Sequence, residues 1–89
     1  MIIIKKSGRT EEFSKEKIRL SVAAAGENAG QPMNESDLKI VMNDLADVVG
    51  KRERIKSVHL QIILMGILRY RGYDGVLDAY VDYYRHNKM

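Results

Sequence analysis

The sequence predicts an α+β fold that is mostly α, with an N-terminal β-hairpin acting as a lid on a four-helix bundle. Three observations lead there. The chain opens on a β-prone isoleucine run followed by a polar, glycine-containing turn. Four later segments carry apolar residues at helical period, separated by glycine, proline and polar breaks. The length of 89 residues supports one hydrophobic core and is too short for two, so residues 1–89 are expected to form a single domain.

Each element follows from local chemistry. Ile2, Ile3 and Ile4 favour a strand, and Lys5-Lys6-Ser7-Gly8-Arg9 provides the turn that brings Arg9 to Phe13 back alongside. Residues 2–13 therefore read as a hairpin. Ser14 suits the N-cap of a helix from about Lys15 to Asn28, in which Ile18, Val22, Ala25 and Ala29 form a narrow stripe. Gly26, Gly30, Gln31 and Pro32 end it. Asn34 or Ser36 caps a second helix whose stripe is Leu38, Val41, Met42, Leu45, Val48 and Val49, and Gly50 stops that helix. After the polar run Lys51 to Glu53, residues 54–56 can add a short third strand to the hairpin. Ser57 is placed to cap a third helix over Val58 to Tyr70. That helix is apolar nearly all round between Ile62 and Leu68, which predicts the most buried member of the bundle. Gly72 and Asp74 separate it from a fourth, from Gly75 to about Arg85, with Leu77, Tyr80, Val81 and Tyr84 on one side. A hairpin alone is marginal in water, so it must lie against the helices.

Composition narrows the function classes. Apolar residues make up 45% and charged ones 30%, the balance of a folded globular chain. Cysteine is absent, which excludes disulfides, thiolate zinc sites and cysteine nucleophiles. The N-terminus lacks the basic start and long apolar stretch of a signal peptide, and the run from Ile62 to Leu68 is far short of the roughly 20 residues of a membrane span. A cytoplasmic protein without a membrane role is the expectation. The net charge of +3 favours an anionic partner weakly, and its distribution matters more. Lys5, Lys6, Arg9, Lys15, Lys17 and Arg19 crowd one end, while Lys51, Arg52, Arg54 and Lys56 form a second cluster.

No phosphate loop, Gly-x-Gly-x-x-Gly or Gly-x-Ser-x-Gly motif is present, so neither turnover of a nucleotide nor acyl transfer is expected, and the chain reads as a non-enzyme. His59 and His86 have no carboxylates at metal-ligand spacing. Asp44, Asp47, Asp78 and Asp82 read as solvated helix-surface carboxylates. Of the five tyrosines, Tyr73, Tyr80 and Tyr84 fall at core spacing, which favours packing over base stacking.

Ile3-Ile4-Lys5-Lys6-Ser7-Gly8-Arg9, then Phe13-Ser14-Lys15-Glu16-Lys17-Ile18, resembles the opening signature of the ATP-cone, a nucleotide-sensing domain of ribonucleotide reductases and of a repressor of reductase genes. The likeness continues through Ile55-Lys56-Ser57-Val58-His59-Leu60-Gln61 and the closing Ala79-Tyr80-Val81-Asp82-Tyr83-Tyr84-Arg85, covering essentially the whole chain in order. It implies binding of ATP or dATP, with Mg2+ as an optional companion, at a site drawn from Ile3, Lys5, Lys6, Glu11, Lys17, Ile18, Val22, Ser57 and Gln61. Lys5, Lys6 and Lys17 would take the phosphates, Glu11 would meet the adenine or its surroundings, and Ile18 and Val22 would floor the ring. Ser57 and Gln61 would approach from the opposite wall. Lysines on a turn and on a helix start can close on a triphosphate from two sides. Lys6 and Ser7 stand where the family usually has Arg and Asp, which replaces a planar bidentate donor by a point charge. Neither a reductase nor a zinc ribbon is encoded in these residues, so the expectation is a free-standing cone that regulates a reductase or associates with itself. Two other readings compete. One is a small DNA-binding module using the basic clusters, opposed by the apolar third helix and the acids of the second. The other is a cone-fold interaction domain that has lost its ligand.

Overall fold

The computed structural model describes residues 1–86, apart from the side chains at positions 83, 84 and 86. The readings that fell on the side chains of Tyr83, Tyr84 and His86 thus lie outside what is described. The chain runs β1 (Ile2–Ile4), β2 (Thr10–Glu12), α1 (Lys15–Asn28), α2 (Glu35–Val49), β3 (Arg54–Lys56), α3 (Ser57–Tyr70) and α4 (Asp74–His86). This is the α+β, mostly α architecture that the sequence predicts, third strand included.

The hairpin turn closes as its composition requires. Gly8 adopts φ 89°, a left-handed conformation that costs a glycine little, and the Lys5 amide donates to the Arg9 carbonyl at 2.7 Å. β1 pairs antiparallel with β2, placing Ile3 opposite Glu11. It pairs in parallel with β3, placing Ile3 beside Ile55. The strand order is therefore β2-β1-β3. Ile3 and Ile55 are both buried, which fixes the register, because a slip of one residue would turn both isoleucines to water. With β1 in the middle and β3 leading directly into α3, the sheet is tied into the bundle. Rotation of the whole hairpin as a hinged lid would break the β1–β3 pairing.

Two helices start as their sequences specify. The Ser14 hydroxyl accepts from the Lys17 amide at 3.2 Å. Asn34 and Asp37 form a reciprocal capping box, with bonds of 2.8 and 3.2 Å, and each such cap contributes about 1 kcal/mol. α1 packs on α4 and α2, while α3 packs on α2, α4 and β3. Val22, Val41, Leu45, Leu64, Leu68 and Val76 form the inaccessible centre of the core.

Four expectations change. Gly26 lies buried inside α1 rather than ending it, and Ala29 follows the helix as its exposed C-cap, because Gly30 turns the chain away. Val48 is half exposed while Val49 is buried; at about 100° per residue Leu38, Val41, Met42, Leu45 and Val49 share one arc of the helix, and Val48 falls just outside it. The apolar surface of α3 is not covered all round. Leu60, Leu64, Ile67 and Leu68 are buried, yet Val58 and Ile62 are about half exposed, at 48% and 57%. α3 packs on α2, α4 and β3, and the part of its surface that none of them covers stays open to solvent however apolar its sequence.

Candidate functional site

The strand register decides which side chains of the sheet meet the helices. Ile3 and Lys5 are two residues apart and so share a face of β1 and its extension, and Glu11 is directly across from Ile3 on that face. The N-terminal turns of α1 bring Ser14, Lys17, Ile18 and Ser21 to the same place. From the opposite side α3 contributes Ser57, Leu60 and Gln61, and α4 contributes Tyr80. Together these residues line a cavity of about 290 Å³, just under the usual range of small-molecule sites.

Its outer end is ionic. The Glu11 Oε1 atom lies 3.3 Å from Lys5 Nζ and 3.9 Å from Lys17 Nζ, so one carboxylate bridges cations from two different elements. All three groups are partly exposed, and ion pairs of that kind contribute only about 0–1 kcal/mol each. A more highly charged anion can therefore displace the carboxylate at little cost. The walls behind are apolar, formed by Ile3, Ile18 and Leu60, and the inner end is polar again, where the Tyr80 hydroxyl donates to Gln61 Oε1.

Ser57 departs from expectation in a useful way. It is the first residue of α3, Lys56 occupies the N-cap position, and the helix has no side-chain cap bond. The cause is the direct strand-to-helix junction: β3 ends at Lys56, which leaves Ser57 one residue inside the helix rather than before it. Its hydroxyl lines the cavity instead, beside the α3 amides that no side chain caps.

Seven of the nine sequence-derived candidates, Ile3, Lys5, Glu11, Lys17, Ile18, Ser57 and Gln61, line this one cavity. Lys6 is on the exposed turn, outside the lining, and Val22 is inaccessible beneath it. Tyr80, Leu60, Ser14 and Ser21 were not among the candidates. Tyr80 falls in the closing stretch that resembles the family, but its helical spacing from Leu77 is the same signal that core packing gives.

Elsewhere, a broader depression of about 870 Å³ between α3 and α4 mixes Arg69 and Arg85 with Asp78 and Asp82, with no convergence of one charge. Among the described residues, no group of His, Cys, Asp and Glu is arranged to hold a metal ion, and no helix is long and apolar enough to cross a membrane.

No curated protein matches the chain. The family model of the ATP cone domain matches residues 1–89, and since that is the whole sequence, the chain belongs to this family of nucleotide-binding regulatory domains.

Proposed function

We propose that this protein binds ATP or dATP in the cavity between the sheet, α1 and α3, and that binding alters its association with itself or with a ribonucleotide reductase. The observation that carries the reading is the Glu11 carboxylate bridging Lys5 and Lys17. In the empty site it serves as their internal counter-ion. A triphosphate takes over both lysines, with Lys6 on the adjoining turn and Ser57 at the start of α3 as further donors. The freed carboxylate is then available to accept from the exocyclic amino group of the base, and Ile3, Ile18 and Leu60 provide an apolar surface for the ring.

The cavity is smaller than a whole nucleotide needs, so part of the triphosphate lies toward the solvent-exposed turn. Any Mg2+ is held there chiefly by phosphate oxygens and water, the usual manner for this ion. The protein uses the nucleotide as a signal rather than a substrate. Such a signal acts only through unequal affinity for two states of the domain.

Titration calorimetry with ATP, dATP, ADP and GTP, with light scattering on the same samples, tests this. Saturable adenine-selective binding accompanied by a change in mass is the expected result. Absence of heat with every nucleotide at millimolar concentration would sink the proposal.

A further inference from the structure

Tyr80 borders two cavities. On one side is the site just described; on the other is a smaller cavity of about 120 Å³, lined by Ser21, Ala24, Ala25, Asn28 and Tyr80 itself. Ser21 belongs to both linings, and its hydroxyl is held by the Ile18 carbonyl at 2.9 Å. The side chain that divides the two spaces is thus chiefly the phenol of Tyr80. Its ring is buried, and its hydroxyl bonds the amide oxygen of Gln61. Because Gln61 lines the ligand cavity, this bond links a ligand-facing group on α3 to α4. The space behind equals the liquid volume of about four waters, room into which a displaced phenol can turn.

From this arrangement we infer that Tyr80 couples occupancy of the cavity to the position of α4. The inference rests on the reading of the cavity as a nucleotide site. A ligand that engages the Gln61 amide competes with the Tyr80 hydroxyl for it. The displaced ring rotates into the smaller cavity, toward Ala24 and Ala25 on α1, and α4 shifts where it packs on α1. The bound state is then distinguished from the empty one by the α1–α4 contact, remote from the lysines. The two states differ in discrete packing, which is how a local event reaches a distant surface.

Two variants give shifts of opposite sign. Tyr80→Phe keeps the ring and removes the competing hydroxyl, so ATP affinity measured by calorimetry rises roughly two- to tenfold, the effect of one net hydrogen bond. Ala24→Leu, on an exposed helical position, fills the smaller cavity and obstructs the displaced ring, so ATP binds several-fold more weakly. Hydrogen exchange along α4 should respond to ATP in the unaltered protein and lose that response in both variants. Reduced affinity in both, or an α4 response that survives in Tyr80→Phe, overturns the coupling while leaving the nucleotide site intact. No ATP binding by the unaltered protein overturns the site and the coupling together.

Discussion

Two glycines inside helices provide a matched test of the packing, because the same substitution has opposite consequences at each. Gly66 is in the middle of α3 on an exposed position, and a Cβ added there meets nothing within 4 Å. Gly66→Ala therefore gains helix propensity alone, about 1 kcal/mol. Gly26 is buried near the end of α1, where a Cβ would lie 2.9 Å from the Gln31 carbonyl oxygen and 3.3 Å from Met33 Cγ. The neighbour cannot easily retreat. The Gln31 amide donates to the Gly26 carbonyl at 2.9 Å, and the Gln31 side-chain oxygen accepts from the Val76 amide at 3.2 Å, which ties the α1–α2 connection to α4. Gly26→Ala gains the same propensity term but incurs overpacking of about 1–3 kcal/mol, for a net loss of roughly zero to 2 kcal/mol. The propensity term cancels in the difference between the two variants, so their separation measures the clash. In thermal denaturation followed by circular dichroism, that separation is a Tm gap of at least about 4 °C, with Gly66→Ala above the parent and Gly26→Ala the lower. If Gly26→Ala melts as high as Gly66→Ala, the close approach of Gln31 to α1 is wrong.

Other perturbations follow from particular contacts. Lys17→Ala and Lys5→Ala each remove one charge-assisted donor and should weaken ATP binding about tenfold, measured by calorimetry, with little change in melting temperature because their pairs with Glu11 are partly exposed. Leu64→Ala empties the centre of the core, where Leu64 is 1% exposed; a loss of about 2–5 kcal/mol in urea titration is expected, a large share of the stability of a domain this size. Arg71 donates to Asp44 through two bonds of 2.7 and 2.9 Å, and this hydrogen bonding holds the Asp44 carboxyl below the usual carboxylate range. Its stabilising contribution is full above that range and is lost as the pH falls through the lowered folded value. Asp44→Asn should therefore flatten the acid side of the melting-temperature profile.

The elements most fully legible in the sequence were those governed by local chemistry. Ser14 and Asn34 cap the helices they precede, Gly8 closes the hairpin, and Arg54–Lys56 adds the short third strand to it. Burial was read less well, because periodicity tells which face of a helix is apolar without telling how many neighbours will cover it. Ile62 is as apolar as Leu64, yet Leu64 is buried and Ile62 is mostly exposed. The same limit affects the site. Lys5, Glu11 and Lys17 stood out by charge and by resemblance to the family signature, whereas Tyr80 has the spacing of a core residue and in fact serves as cavity wall as well. Ser57 could not be told from an N-cap, since that distinction depends on β3 running without a loop into α3.

The account depends above all on the nucleotide occupying the cavity bridged by Glu11. The direct test is amide chemical-shift mapping of the isotope-labelled protein during titration with ATP. The account predicts saturable shifts clustered at Lys5, Glu11, Lys17, Ser57 and Gln61. Shifts that cluster elsewhere, such as the depression around Arg69 and Arg85, or no shifts at millimolar ATP, would contradict it.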